Sequence, residues 1–541
     1  MKQILPAFLG LILLTVPAAA QGLRPKTPPA KPQDAVVFSI NGLTASDYAL
    51  DLARQSDSDV LIRAWFKWGK APDYQPLREF PERAHGMGAV FGGGITCSAL
   101  YDKENGITPA QLQDMATRGT NGAMVDAWGH PGIRHGSLSS PAYMDYLFRW
   151  CKEQMDAGVD YLFMDENTAA LSGQEGYDDY SLADFRQYLL GFCPSTKGWK
   201  ANDPRWASQY GINLGDAAVC CDGSMNTFDY RAFLQARRAL KKSPAPPKRL
   251  LPLWRSFRIW RDDRAWKSLT DRIRAYARQR GHPVWISGNG LTRYVDLQVL
   301  GIWHNWLVTN GQVDISQNQI QIWRNLVVKG HELTDETVPV VLFHDWGFGE
   351  PHFPWLAVPP DQREIWLRTR AAEIYAAGAF FAFPVLGPHG CDAGRDGTIA
   401  TIARQAAFYQ AQRNLYLHGR FLGADSVQTS QPAFSLAAWA GDTPDTVVLH
   451  VINRQIRDGR LQPRQAVTLT APLSEMPEAA EAVSPDWTGT RPVSCVQSGG
   501  QLRVSLSDME AYAVIRLHYR QAVNLSRLID PVRIRMSPVG E

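Results

Sequence analysis

The sequence predicts an α/β protein: a (β/α)8 TIM barrel followed by a C-terminal antiparallel β-sandwich domain. Three observations predict it. Apolar runs, each opening after a Gly, Pro or Asp, recur between residues 59 and 384 and alternate with stretches of helical period. The runs are near-continuously apolar, as parallel strands covered on both faces are. Beyond about residue 420 the helical stretches stop, and short strand-like runs succeed one another. A doubly wound open sheet is the competing architecture. It is disfavoured by the count of eight runs and by the missing Gly-rich phosphate loop.

In chain order, Lys2, an apolar run Leu5–Val16 and the small-residue site Pro17-Ala18-Ala19-Ala20 read as a signal peptide over 1–20. That run falls short of the roughly 20 apolar residues a span needs, and no later stretch reaches that length. The expected location is therefore periplasmic or extracellular, with no stable membrane insertion after cleavage. Residues 21–34 (QGLRPKTPPAKPQD) are Pro-rich and basic and read as a linker. The barrel is placed over 35–420. Its expected strands are Asp59–Phe66, Gly88–Ile95, Gly122–Trp128, Val159–Asp165, Pro283–Ser287, Leu297–Trp303, Pro339–His344 and Ala379–Pro384. Helices are expected over Pro141–Ala157, with Ser140 as N-cap, over Ile259–Arg278 and over Gln362–Ala377. An insertion around 168–250 follows the fourth strand, bearing a helix near Phe228–Leu240 and a Pro/Lys-rich break at 241–249. Over 421–541, Thr446–Asn453, Gln465–Leu469, Leu502–Leu506 and Tyr512–Leu517 are the expected strands of the terminal domain.

Composition narrows the function classes. At 45% hydrophobic and 20% charged, with a net charge of +3, the chain has no dense Lys/Arg stripe, so nucleic acid is not an expected partner. Eighteen tryptophans are an unusual number; their rings either stack on sugars or fill cores. Of seven cysteines, Cys193 is expected to bridge Cys220 or Cys221, and Cys97, Cys151, Cys391 and Cys495 read as buried thiols. No spacing suggests a zinc or haem site, so neither metal nor cofactor is expected.

Barrel enzymes carry their reacting groups at the C-terminal ends of the strands. At the ends of the runs here stand Trp65, Asp126, Trp128, Asp165, Glu166, Asn289, Trp303, His304, Trp306, His344, Asp345, Trp346 and Asp392. Two carboxyl groups across a sugar can protonate a leaving oxygen and attack the anomeric carbon or activate water. Asp165, Glu166 and Asp345 are the candidates, at strands four and seven. Adjacent strand residues point to opposite faces, so one of Asp165 and Glu166 enters the barrel and the other caps the following segment. The remaining residues are candidate substrate contacts, with the five tryptophans a stacking platform.

The segments GVDYLFMDEN (158–167), RSFRIWRDDRAWKSLTDRIRAYAR with HPVWISGNG (255–290) and VVLHVIN resemble TIM-barrel glycoside hydrolases, most of all the β-galactosidase-like (family 42-type) group. The resemblance implies a carbohydrate substrate, a proton donor at Glu166 with Asp165 beside it, and a nucleophile at Asp345. This chain departs from that group in having Asp at 345 and at 165. Barrels of the α-galactosidase and α-fucosidase type instead use a fourth-strand Asp as nucleophile, which Asp165 fits. A non-catalytic carbohydrate-binding barrel and a His-dependent polysaccharide lyase or deacetylase are the alternatives.

Overall fold

A computed structural model describes residues 26–42, 45–65, 78–101, 104–167, 175–239, 246–302, 308–309, 312–334, 336–343, 358–387, 391–431 and 433–529. Eight strands make a parallel barrel: β1 Phe38–Asn41, β2 Val60–Ile62, β3 Val90–Thr96, β4 Tyr161–Asp165, β5 Trp285–Gly288, β6 Gln298–Gly301, β7 Val340–Phe343 and β8 Phe380–Leu386. Their hydrogen-bonded order is β5-β4-β3-β2-β1-β8-β7-β6, so the ladder is continuous except between β5 and β6.

The expected count of eight holds through two offsetting corrections. β1 lies in Ala35–Asn41 (AVVFSIN), which the periodicity did not mark as a strand. Gly122–Trp128, expected as the third strand, is outside the barrel. It belongs to an antiparallel excursion between β3 and β4, where Met124 bridges to Arg118 and Asp126 to Arg134. The reason is backbone pairing: Val125 donates to Thr117 and accepts from His135, leaving nothing for a barrel neighbour. A third correction concerns the repeat itself, because residues 289–297 run from β5 to β6 without a helix. There Asp296 substitutes for a ladder: its carboxylate accepts the Ile286 N–H at 2.8 Å, and its own N–H donates to the Ile286 carbonyl at 2.9 Å.

Strand register decides which side chains enter the lumen. Phe38 is level with Val60 and Ala382, Val60 with Val90, Gly92 with Tyr161, and Tyr161 with Trp285. Alternation then puts Phe38, Ile40, Val60, Ile62, Tyr161 and Phe163 on the inner face, and all six lie in one buried cluster. Phe163 of β4 meets Phe343 of β7 edge-on, with ring centroids 5.9 Å apart. Leu61, Phe91, Leu162, Met164 and Ile286 fall on the other face, in a second cluster under the helices. The glycines of β3 serve this packing. A side chain at Gly93 would collide with the Gln154 amide, which bonds the N–H of Gly94 at 2.7 Å and its carbonyl at 3.0 Å.

The helix Pro141–Asp156 begins as its cap predicts, with Ser140 Oγ accepting the Tyr143 N–H at 3.3 Å. The helix Leu251–Arg280 buries Trp266, Leu269 and Ile273, while Ile259, where the helix was expected to begin, is 73% exposed. Its first turns belong to a different core. Residues 175–239 fold over them around Tyr177, Phe185, Phe228, Tyr230, Trp254 and Phe257, with Phe185 edge-on to Trp254 at 4.8 Å. Trp199, Trp206 and Trp254 lie in this cluster, which explains part of the tryptophan excess as packing. The expected disulfide is absent. Cys193 and Cys220 are buried free thiols of this aromatic core, and Cys221 is exposed. Burial pushes the Cys220 thiol up to about 11.

The expected linker is docked where it is described. Lys26 Nζ lies 3.1 Å from Asp57 and 2.8 Å from the buried Asp59, Pro32 is buried, and Arg413 bonds the Asp34 carbonyl. Residues 1–25, with the expected signal peptide, fall outside the described residues.

The C-terminal domain is an eight-stranded antiparallel sheet that curls over its own core: β9 Arg420–Gly423, β10 Phe434–Ala440, β11 Thr446–Asn453, β12 Val467–Ala471, β13 Ala479–Val483, β14 Arg491–Ser498, β15 Gln501–Leu506 and β16 Tyr512–His518, ordered β9-β10-β11-β16-β13-β14-β15-β12. It packs on the barrel helix Pro360–Ala376. The Trp439 indole N–H donates to the Ala376 carbonyl at 2.8 Å, and the Ser435 hydroxyl to the buried Glu373 at 2.6 Å.

Candidate active site at the barrel mouth

Asp165 is the last residue of β4, two positions beyond Phe163, and so projects from the inner face at the C-terminal rim. Its Oδ1 accepts a hydrogen bond from Asn289 Nδ2 at 2.8 Å, and Asn289 Oδ1 in turn accepts the Gly301 N–H of β6 at 3.2 Å. The structure thus brings Asp165 and Asn289 together.

Glu166 takes a different path. Its backbone turns into the left-handed region (φ 52°), which removes it from the strand's alternation. Its carboxylate is bonded by the Ser98 hydroxyl, and its Oε1 accepts the Trp128 indole N–H at 2.9 Å. Trp128 is itself left-handed (φ 53°) and 41% exposed. Of the two tryptophans named at this rim that the structure describes, Trp128 offers a ring to solvent. Trp65 is 4% exposed and packs in the outer core with Leu61 and Ile95.

Arg63, just past the end of β2, is a third left-handed residue (φ 59°) and is almost fully buried. Its guanidinium lies 5.5 Å from the Phe163 ring centroid, one turn of the alternation below Asp165. The available signal in the sequence is the single basic residue within DVLIRAWF. Ser98 has no such signal, and nothing in its sequence context marks it. Left-handed non-glycine residues cost on the order of 1–3 kcal/mol each and gather at functional sites; Arg63, Trp128 and Glu166 gather here.

Asp126 and Asp392 are both engaged by neighbouring side chains. Asp126 is paired with Arg134 within the β3–β4 excursion. Asp392, after β8, accepts the Tyr48 hydroxyl at 2.5 Å and the Arg395 N–H at 3.1 Å. Trp303, His304, Trp306, His344, Asp345 and Trp346 lie outside the described residues. The Cys97 thiol sits beside the mouth, but burial, reinforced by Cys151, Asp165 and Glu166, pushes it well above the ordinary thiol range. That disfavours the thiolate, which is the nucleophilic form. Among the described residues no three His, Cys, Asp or Glu side chains are grouped to hold a metal ion, and no helix is long and apolar enough to cross a membrane.

No family model matches the chain, and no curated protein matches it. Among solved structures it is similar to a cycloisomaltooligosaccharide glucanotransferase from Paenibacillus sp. complexed with cycloisomaltoheptaose. The TM-score is 0.54 at 10% identity, covering 90% of this chain and 86% of that one. It is also similar to α-L-fucosidase isoenzyme 2 from Paenibacillus thiaminolyticus, with a TM-score of 0.53 at 10% identity over 92% of this chain and 100% of that one. At that identity the likeness is one of fold, and it extends through both domains.

Proposed function

We propose that the protein is an exported glycoside hydrolase that cleaves an O-glycosidic bond of a poly- or oligosaccharide with two carboxyl groups. The observation that carries this is the place of Asp165: a carboxylate at the end of β4, on the inner face, held by Asn289 at the mouth of a barrel whose fold is shared with glycoside-active enzymes. In this reading Asp165 attacks the anomeric carbon and forms a glycosyl ester. The second carboxyl group protonates the departing oxygen, then draws a proton from the water that hydrolyses the ester. Asp345 is our candidate for that second group, two residues after Phe343, whose ring meets Phe163 across the lumen. Glu166, bonded by Ser98 and Trp128, orients the indole against which a sugar ring stacks. These roles follow the fourth-strand-nucleophile pattern rather than the family 42-type one, since Asp165 and not Glu166 faces inward.

The test is turnover of aryl α-L-fucosides, α-glucosides and α- and β-galactosides by wild type and Asp165→Gly. The variant should lose activity by about 10²–10⁴-fold, and azide should restore turnover as a glycosyl azide of inverted anomeric configuration. Loss without azide rescue refutes the nucleophile role. Sugar binding without turnover by wild type on these and on plant, algal and bacterial polysaccharides identifies a non-catalytic carbohydrate-binding barrel instead.

A further inference from the structure

We propose that Asn289 is the positioning residue of the Asp165 carboxylate, acting from the seam between β5 and β6, where no strand ladder forms among the described residues. This rests on the reading of Asp165 as nucleophile. β4 and β5 are paired as far as Met164 and Gly288, and the next residue on each strand is Asp165 and Asn289. β5 and β6 share no strand ladder among the described residues. One backbone bond crosses that seam, from the Gly290 N–H to the Val299 carbonyl at 2.9 Å, and beside it the Asn289 amide spans the seam, accepting from Gly301 at 3.2 Å and donating to Asp165 at 2.8 Å. Its orientation is dictated by its partners. A backbone N–H can only donate, so the carbonyl end must face Gly301 and the NH2 end must face the carboxylate.

The backbone around Asn289 is shaped for this. A Cβ at Gly288 would stand 2.9 Å from the Asn167 amide nitrogen, and Gly290 holds a φ of 126°, a conformation L side chains rarely adopt. Glycine on both sides lets the chain turn sharply and aim the amide inward at the rim. An aspartate at 289 would face the Gly301 N–H equally well but would set a second negative charge against Asp165. An alanine would leave the carboxylate without this donor. A hydrogen bond that pins a nucleophile is worth most when the anomeric carbon is in line, so its loss should fall on kcat rather than on KM.

The experiment compares full-length wild type, Asn289→Ala, Asn289→Asp and Asp165→Asn on an aryl glycoside that wild type hydrolyses. Asn289→Ala should lower kcat about 10- to 100-fold, the range of one lost bond to a charged group, with KM nearly unchanged. Asn289→Asp should move the acid limb of the pH–rate profile upward by about a unit or more, because two adjacent carboxylates share a proton. Arg63 and Glu166 at the same mouth are unchanged in every variant, so the displacement reports position 289.

Asn289→Asp should also lose thermal stability, relative to wild type, as pH rises through the carboxylate range. That loss should vanish in Asn289→Asp/Asp165→Asn, a readout independent of turnover. Three results overturn the proposal: a fall in Tm with kcat and the pH profile unmoved, which makes Asn289 a strut of the seam; a rise in KM alone, which makes it a sugar contact; or a pH-dependent stability loss that persists in the double variant. If wild type is active and Asp165→Asn is equally active, the nucleophile reading fails instead. An inactive wild type refutes both.

Discussion

Asp160 and Asp165 stand at the two ends of β4, and their surroundings are opposite. Asp160, at the N-terminal face, accepts His85 Nε2 at 2.6 Å, His282 Nε2 at 2.9 Å and the Phe91 N–H at 2.9 Å. Asp59, just ahead of β2 on the same face, is fully buried and bonds Val36 and Val37 N–H, Lys26, Gln410 and Arg413. These carboxylates tie helices and the N-terminal segment to the strands through several donors each, most of them basic side chains or backbone N–H groups. Asp165, at the mouth, is held by a neutral amide among left-handed residues and beside an exposed indole. Charge-assisted bonds put the first two carboxylates to structural use, whereas the C-terminal rim, where Asp165 stands, is where barrel enzymes carry their reacting groups. The barrel separates the two uses by one strand length.

The sharpest way to break that separation is to neutralise one aspartate at each end. Asp165→Asn should cost about 10²–10⁴-fold in turnover while leaving the urea midpoint nearly unmoved. Asp59→Ala should do the reverse. Burial alone would raise the Asp59 carboxyl, but the Lys26 charge and bond, the Val36 N–H and Arg413 outweigh it and hold it below its ordinary 3.8. Removing it takes the acceptor from the buried Val36 and Val37 N–H groups and one of several partners from Lys26 and Arg413, a loss of about 2–4 kcal/mol, with activity per folded molecule unchanged. A stability loss in Asp165→Asn as large as that in Asp59→Ala would erase the contrast.

The same contrast explains what could be read from the sequence. Apolar runs report strands, because burial on both faces excludes polar residues, and seven of the eight barrel strands are legible in that way. β1 is short and its run, AVVF after Asp34, is hidden beside a Pro-rich segment, while GAMVDAW imitates a strand with Met124 and Val125 only partly buried. Asp165 and Glu166 were both visible as rim acids, but the choice between them depends on register with β3 and on the φ of one residue, which composition does not encode. Tryptophan is ambiguous for the same reason. Trp65 and Trp128 look alike in sequence, and the depth of packing alone divides a core ring from an offered one.

A finer contrast lies in pH. The Asp160 hydrogen bond raises the His85 imidazole above its ordinary 6.5. Burial works against ionised Asp160, but His282 and His85 outweigh it and lower the carboxyl below 3.8. The histidine contribution is full below about 6.5 and is lost as pH rises through the raised value; the aspartate contribution is present above about 3.8 and is lost as pH falls through the lowered one. The clamp should therefore be strongest between about pH 4 and 6.5. Thermal unfolding of His85→Gln against wild type should show a gap of about 1 kcal/mol in that window, discounted for the partly exposed ring, and a shrinking gap toward pH 8. A gap independent of pH would mean the ring acts by packing.

The smallest effect concerns Asp392, which the sequence offered as a sugar contact and the structure ties to Tyr48. Burial, then the bond to Asp392, pushes the Tyr48 hydroxyl up to about 12, so it remains a donor at any working pH. The bond joins the helix Asp47–Gln55 after β1 to the loop after β8, neighbours around the barrel. Tyr48→Phe removes one partly exposed hydrogen bond while the Arg395 N–H keeps its hold on the same oxygen, so no more than about 1 kcal/mol should be lost. The informative quantity is KM. If Asp392 anchors the loop, Tyr48→Phe and Asp392→Asn should shift the unfolding midpoint by similar small amounts and leave KM alone. If Asp392 also receives a sugar hydroxyl, Asp392→Asn should raise KM while Tyr48→Phe does not, and the rim would then extend its substrate contacts as far as β8.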